Sequence, residues 1–148
     1  MLSRKKPNKM LGEILVEKGI ITKDQLDKAL EIQSKAGGLI GETLVKLGFA
    51  NEEAIAQCLA RQYGFAFLPL ENYEITQEIL QLIPKNVASH YCLIPLDKIG
   101  NTLTVSMANP LNTEAVEDLE DLTKLEIQVF VSTATDVRNT LRKYYKDI

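Results

Sequence analysis

The sequence has few of the residues that mark an enzyme, a metal site or a secreted scaffold. Its 148 residues include two cysteines, one histidine and no tryptophan. Cys58 and Cys92 form no CxxC pair, which disfavours a disulfide framework and a zinc site, and we interpret both as core thiols. His90 alone cannot supply a metal cluster. Because no GxxxxGK[ST] loop is present to hold phosphates, we predict no catalytic activity, no bound metal and no required cofactor.

Long apolar runs and an excess of positive charge are also missing. No run approaches the roughly 18 residues that a membrane-spanning helix needs, and the net charge of −3 disfavours a nucleic acid polymer as a partner. The basic residues 4–6 precede an amphipathic segment rather than the apolar core of a signal peptide. We therefore predict a cytoplasmic domain without direct membrane insertion, preceded by a basic flexible tail at residues 1–9.

What the sequence does contain is an internal repeat. Residues 11–33 read LGEILVEKGIITKDQLDKALEIQ and residues 40–62 read IGETLVKLGFANEEAIAQCLARQ, so the second copy begins 29 residues after the first, at 40 rather than 11. A repeat of this length is normally one supersecondary unit used twice, whose copies bury each other's apolar faces. Two copies leave outer faces uncovered, and the chain after Gly64 is expected to cover them.

Each copy is predicted to form a short helix, a glycine turn and a longer helix. Gly19 and Gly48 follow the short helices, where a left-handed residue ends a helix at low cost. Thr22 and Asn51 are suitable N-caps for the longer helices, and Gln25 completes a capping box with Thr22. The repeat therefore predicts four helices between residues 10 and 64.

The longer helices carry matching apolar stripes. Because these stripes have no other equally large apolar partners nearby in the sequence, we expect Leu30→Ala and Leu59→Ala each to cost about 2–5 kcal/mol. The stripe residues of the two copies are Leu26, Ala29, Leu30 and Gln33, and Ile55, Cys58, Leu59 and Gln62.

Two residue types in the repeat need an explanation beyond simple packing. Gly12 and Gly41 lie at the start of or inside a helix, where glycine costs about 1 kcal/mol relative to alanine, which indicates a close approach by another helix or by a ligand. Gln33 and Gln62 end otherwise apolar stripes, and each needs a hydrogen-bond partner if it is buried. Either residue type is consistent with helix packing and backbone capping or with a ligand site.

The second half of the chain predicts a small α+β structure. Strands are predicted at residues 91–96, 103–107 and 126–131, a hairpin connection at 97–101, and helices at 74–82, 84–89, 113–123 and from about 135. This order is typical of a short sheet with helices on one face. The predicted fold class is α+β, with a helical tandem repeat at 10–64, a connecting segment at 65–75 and an α+β subdomain at 76–148.

The repeat, the strand residues 93–96 and the turn at 106–110 together resemble one bacterial family. They look like the N-terminal domain of the assembly ATPases of type II secretion and type IV pilus machines, and the resemblance covers residues 10 to about 145. It implies a regulatory domain that lies ahead of a P-loop ATPase core and docks that core to a membrane-bound assembly platform. The predicted location is then the inner face of the membrane, reached through the partner.

One branch of this family binds cyclic di-GMP through two tandem motifs that each open with Arg-Leu-Gly. The resemblance implies that the glycines let the backbone approach the ligand and that the aliphatic residues cover its bases. Both arginine positions are occupied by other residues here, Met10 and Leu39. The matching residues and the two arginine positions are together called the tandem motif below. They are Met10, Leu11, Gly12, Leu15, Val16, Gly19, Leu30, Gln33, Leu39, Ile40, Gly41, Leu44, Val45, Gly48, Leu59 and Gln62.

The missing arginines set the order of the functional hypotheses. An arginine offers a dianionic ligand a planar fork and a permanent charge, worth roughly 1.5–3 kcal/mol per contact, so two losses weaken binding by about two to four decades. The leading hypothesis is a docking domain that binds a cytoplasmic platform component and acts with an ATPase core in cis or in trans. A cyclic di-GMP receptor is the second hypothesis, and a spacer between membrane and motor is the third.

Overall fold

The computed structural model describes residues 7–145, with side chains described from residue 11 onward. Helices of the repeat come first, and a mixed group of helices and strands follows. In chain order the elements are α1 (Pro7–Glu17), α2 (Lys23–Ala36), α3 (Ile40–Lys46), α4 (Glu52–Tyr63), α5 (Gln77–Leu80), α6 (Lys85–Tyr91), β1 (Leu93–Ile99), β2 (Thr102–Met107), α7 (Thr113–Thr123), β3 (Glu126–Val131) and α8 (Ala134–Tyr144).

The first helix begins before the repeat does. α1 starts at Pro7, whose fixed φ and missing N–H suit the first turn of a helix. The predicted flexible tail is therefore wrong for residues 7–9, which are helical. The basic residues 4–6 lie outside the described residues.

Capping chemistry sets the ends of the repeat helices as predicted. Thr22 Oγ1 accepts a hydrogen bond from the Gln25 N–H at 3.1 Å, and Gln25 Oε1 accepts one from the Thr22 N–H at 2.9 Å. Asn51 Oδ1 accepts hydrogen bonds from two backbone N–H groups in the first turn of α4. Gly19 and Gly48 follow α1 and α3 with φ of 74° and 77°. These local residues therefore fix where each repeat helix begins and turns.

The second half forms a three-stranded sheet in the order β1-β2-β3. β1 and β2 are antiparallel, whereas β2 and β3 are parallel, with Thr102 opposite Glu126 and Met107 opposite Val131. The parallel pair requires a crossover connection, and α7 provides it. The predicted α+β fold class, a helical tandem repeat with a small sheet and helices, is confirmed.

Several predicted boundaries in this half are wrong. β1 begins at Leu93 rather than at residue 91, because Cys92 has a left-handed φ of 53° and ends α6. β1 continues to Ile99, so the hairpin connection contains only residues 100 and 101. The helix predicted at 74–82 shrinks to the four residues of α5, because Thr76 is extended, with ψ of 156°, and caps the helix two residues after its predicted start.

Pro84 also differs from its predicted place. It precedes α6 as the cap residue, with an extended ψ of 147°, rather than standing in the first helical position. The other end of α6 also differs, since the helix runs two residues beyond the predicted end at 89. The prediction located the helix correctly and misplaced its two ends.

The buried apolar residues form two clusters that meet at one strand. The first cluster lies among the repeat helices, and the second lies between the sheet and α5–α8. Val131 at the end of β3 belongs to the first cluster, so the sheet covers part of the repeat, as expected of the chain after Gly64. The division into subdomains at 10–64 and 76–148 stays a prediction.

The connecting segment at 65–75 is more than a linker. The Val131 N–H donates to Ala66 O and the Val131 O accepts from the Leu68 N–H, both at 2.9 Å. Phe67 thereby makes a parallel bridge to Val131. The Leu70 N–H donates to Asp136 Oδ2 at 2.7 Å, so this segment is hydrogen-bonded to both β3 and α8.

The two cysteines differ in their surroundings. Cys92 is fully buried, and burial raises the pKa of its thiol to about 12, as expected of a core thiol. Cys58 in α4 is only half-buried. The prediction of two core thiols is right for Cys92 and only partly right for Cys58.

Candidate functional site

The aliphatic residues of the tandem motif lie mainly in the core of the repeat. Five of them have at most 2% of their surface exposed, so their side chains face other helices and not solvent. A residue buried to this extent contributes packing and cannot cover a ligand without a rearrangement. These five residues are Leu11, Leu15, Ile40, Leu44 and Leu59.

The two motif glycines are not equivalent. A Cβ added at Gly12 would lie 2.3 Å from Leu26 Cδ1 and 3.1 Å from Cδ2, so a side chain of α2 fills the space beside this glycine. A Cβ added at Gly41 would meet Leu11 Cδ2 at 3.8 Å and Ile55 Cδ1 at 4.0 Å, which is ordinary contact. Gly12 therefore serves helix packing, one of its two predicted roles, while the site beside Gly41 can accommodate a Cβ in ordinary contact.

This difference predicts opposite effects for the same substitution. Gly12→Ala forces Leu26 to move within a packed core, and we expect a net loss of about 1–2 kcal/mol in the free energy of unfolding. Gly41→Ala replaces a glycine in the first turn of α3 without a clash and is expected to stabilise by about 0.5–1 kcal/mol. Chemical denaturation of both variants checks the pair; equal effects at the two positions would contradict the packing assignment.

The glutamines and turn glycines of the tandem motif have structural roles within the described residues. Gln33 Nε2 donates to Gly38 O at 2.9 Å, which caps a neighbouring backbone carbonyl, one of the predicted alternatives. Gln62 is exposed, so it needs no internal partner. Gly19 and Gly48 have positive φ and no atom within 4 Å of an added Cβ. Their conformation, rather than a close approach, requires glycine.

Leu30 is less buried than its counterpart Leu59. Leu30 is half-buried, whereas Leu59 is fully buried. The reason is that different elements cover the two helices. α4, which carries Leu59, packs against β3, whereas the main packing partners of α2 are α1 and α3. The predicted cost of about 2–5 kcal/mol for each Leu→Ala change is the range for buried leucines, and Leu30 is only half-buried.

The remaining members of the tandem motif are partly accessible. Val16, Leu39 and Val45 are half-buried. Met10 lies in α1, but its side chain is outside the described side chains. Among the described side chains, accessible motif surface therefore comes from these half-buried aliphatic residues, from both glutamines and from the glycines other than Gly12.

Members of both copies meet in one small cavity between the repeat and the sheet. Its volume is about 30 Å³, enough for a water molecule and far below the roughly 300–1,000 Å³ typical of ligand pockets. Its motif residues are Leu11 from the first copy and Leu39, Gly41 and Val45 from the second. The cavity brings the two copies together, but it does not admit a nucleotide in this conformation.

Sequence analysis did not identify the other residues around this cavity. Glu42 and Glu52 come from the second copy, and Asn109 and Ser132 come from the turns after β2 and β3. Glu42 could have been noticed because Glu13 occupies the equivalent position of the first copy. Asn109 belongs to the 106–110 turn that contributes to the family resemblance. No local sequence pattern indicated that Ser132 lies at the cavity.

Two polar contacts fasten the second copy to α8 beside the cavity. Arg138 Nη2 donates to Glu42 Oε1 at 3.0 Å and Nε to Oε2 at 3.3 Å, while Nη1 donates to Ser89 O at 2.6 Å. The hydrogen bond to Glu42 raises the pKa of Arg138, against the opposing effect of burial. Thr135 Oγ1 donates to Glu52 Oε2 at 2.8 Å. The carboxylates at the cavity are therefore engaged in structural contacts.

Arg138→Met tests the strength of this connection. The Arg138 and Glu42 side chains are only 26% and 28% exposed, so removing the guanidinium leaves a poorly solvated carboxylate without this donor, while Ser89 O keeps the bond from the Cys92 N–H at 3.3 Å. We expect a loss of about 1–3 kcal/mol in the free energy of unfolding. Arg142→Met is the matched control, since Arg142 lies exposed on the same helix and, within residues 7–145, bonds to Asn139 alone. A similar loss in both variants would contradict the role of the Glu42 contact.

The described residues offer little for chemistry. Residues 7–145 contain no group of three or more His, Cys, Asp or Glu side chains placed to hold a metal ion. In the same part of the chain, no helix combines the length and apolar character needed to cross a bilayer. The arrangement is suited to packing and surface contact.

Comparison with known proteins identifies the domain. The MshEN domain model matches residues 63–148, the part that includes the sheet. The chain is 36% identical over 137 residues to the type IV pilus assembly ATPase PilB of Myxococcus xanthus (strain DK1622), which covers 93% of this chain and 24% of the relative. The chain thus spans about a quarter of the length of this curated relative.

Solved structures support the same assignment. A structure of MshE with cdg, the cyclic dinucleotide cyclic di-GMP, has a TM-score of 0.68 and 27% identity, covering 96% of this chain and all of the other. The N-terminal domain of XpsE has a TM-score of 0.77 at 16% identity, covering 97% of this chain and 99% of that one, which shows a shared fold. The family match covers more than half of the chain, and no ATPase domain is included. The family resemblance predicted from the sequence is confirmed: this chain belongs to the MshEN domain family.

Proposed function

We propose that this domain is a non-catalytic docking module of a bacterial pilus or secretion ATPase. It binds a cytoplasmic platform component of the machine and positions the ATPase core at the inner face of the membrane. The assignment draws on the pilus ATPase relative and on the family match. The domain itself needs no cofactor for this role.

The observation that carries the proposal is the structural use of the tandem motif. Its aliphatic residues pack the repeat core, Leu26 fills the space beside Gly12, and the cavity shared by the two copies holds about 30 Å³. The repeat is thereby a packed scaffold joined to the sheet, with its outer surface available to a protein.

Recruitment of the intact ATPase tests docking. The cytoplasmic part of the platform component is immobilised, and binding is compared for the ATPase with and without this domain. We expect the domain to be required, and the isolated domain to bind and to compete with the ATPase. Equal recruitment without the domain would contradict docking and favour the spacer hypothesis.

A cyclic di-GMP receptor is the second candidate function. The specific observation in its favour is the solved MshE structure with cdg at 27% identity. Leu39, Gly41 and Val45 of the second copy also meet Leu11 of the first at one cavity. Calorimetry with cyclic di-GMP separates this candidate from docking, and the matching variants are considered in the Discussion.

A further inference from the structure

The parallel pairing of β2 and β3 fixes which backbone groups of β3 point outward. The Glu126 N–H donates to Asn101 O at 2.9 Å, and the Ser132 N–H donates to Met107 O at 3.1 Å. In a parallel ladder, alternate residues direct their N–H and C=O groups to the same neighbour. Positions 126, 128, 130 and 132 therefore bond toward β2, and positions 127, 129 and 131 face the outer edge of the sheet.

Within the described residues, only the last of the three outward positions has a backbone hydrogen-bond partner. Val131 pairs with Ala66 and Leu68 of the connecting segment through two hydrogen bonds of 2.9 Å. Among residues 7–145, no hydrogen bond is recorded for the outward groups of Ile127 and Val129. An internal strand thus covers the end of this edge and leaves two residues with free donors and acceptors beside it.

The side chains next to the open edge give it a definite character. Ile127 and Val129 are half-buried on one face of the strand, and Glu126 and Gln128 are exposed on the other. This alternation is that of an ordinary half-buried strand, which can accept a further strand at its side. The edge therefore offers backbone hydrogen bonds to a further strand and exposed polar side chains beside them.

The charge near the edge favours a basic partner. Glu120 and Asp121 in the last turn of α7 and Glu126 at the start of β3 are all exposed carboxylates. None of the three has an ion pair within the part of the chain that the structure describes. Lys124 supplies one positive charge between them, so the local balance is negative.

We propose that the open edge of β3 binds an extended segment of a protein partner that carries Lys or Arg beside β-branched residues. The segment continues the sheet beyond Ala66–Leu68, with its backbone bonded to Ile127 and Val129 and its basic side chains near Glu126. This inference rests on the proposed docking function and names its surface. A second copy of this chain would bring the same excess of carboxylates to the edge and therefore lacks this complementarity.

Amide exchange on the intact domain tests the edge directly. In the free domain, the amides of Ile127 and Val129 are expected to exchange faster than those of Gln128 and Phe130, which point to β2. Adding the cytoplasmic part of the platform component should slow exchange at Ile127 and Val129 at least tenfold. The measurement reads individual backbone groups and needs no substitution.

Charge reversal provides the second arm. Glu126→Lys is expected to weaken binding of the platform component at least about tenfold and to reduce its salt dependence. Glu78→Lys is the matched control. It makes the same charge change at an exposed residue of α5, the helix that packs on β1 at the opposite edge of the sheet. It should leave affinity within about twofold.

The outcomes distinguish binding at the β3 edge from binding of the platform component at another surface of the domain. Binding with unchanged exchange at Ile127 and Val129, and with equal affinity for both charge variants, would overturn the edge while docking stands. No binding by the natural domain would overturn both. Protection of the two amides that rises with domain concentration alone would show pairing between copies and overturn the basic partner segment.

Discussion

Leu59→Ala is expected to lower the free energy of unfolding by about 2–5 kcal/mol, the range for a fully buried leucine that leaves a cavity. Leu59 has no exposed surface and lies in the repeat cluster. Because α4 is held between α3 and β3, the surroundings cannot close around the lost side chain easily. A urea titration should show a midpoint lower by about 1–2 M or more.

The repeat supplies its own control for this experiment. Leu30→Ala makes the same chemical change at the equivalent position of the first copy, where the side chain is only half-buried. We expect a smaller loss of about 1–2 kcal/mol, since less apolar surface returns to water. Equal losses would mean that the cover of the two copies is symmetric, contrary to the packing of α4 on β3.

Met10→Arg combined with Leu39→Arg is expected to create or strengthen binding of cyclic di-GMP by about two to four decades at low salt. Two arginines restore planar forks and permanent charges worth roughly 1.5–3 kcal/mol each toward a dianion. The natural domain should bind weakly or not at all. Calorimetry on both proteins measures the change, and the gain should shrink as salt rises.

The matched control is the double change to lysine, which adds the same charge without the planar fork. It should recover much less binding than the arginine pair. At position 39, the new cation lies at the cavity that Glu42 and Glu52 also line, so the variant must first be shown to retain its thermal stability. Submicromolar binding by the natural domain would favour the receptor over docking, and no binding by the folded double arginine variant would show that the motif surface has diverged.

The sequence predicted best those features that short-range chemistry controls. Thr22 with Gln25, Asn51 and the turn glycines define helix ends through contacts within a few residues, and the β-branched run at 126–131 matches β3 residue for residue. Predictions from such local patterns need no knowledge of distant parts of the chain. The α+β class and the family resemblance follow from such local features taken together.

The sequence could not predict features that depend on distant contacts. Cys92 adopts a left-handed conformation although nothing in its local sequence requires it. The burial of Leu30 and Leu59 differs because only one of them lies under β3, and the bond from Arg138 to Glu42 joins residues 96 positions apart. For the candidate site, residue types identified the tandem motif, whereas only the fold showed that most of it is used in packing.

Arg138 gives the domain a mechanical property. Its guanidinium bonds to α3 through Glu42 and to the end of α6 through the Ser89 carbonyl, while its own backbone belongs to α8. One planar group therefore links the second repeat copy to two helices of the other half, beside the bond from Thr135 to Glu52 and the packing around Val131. In the docking role that we propose, this link would resist displacement of the second repeat copy relative to α6 and α8.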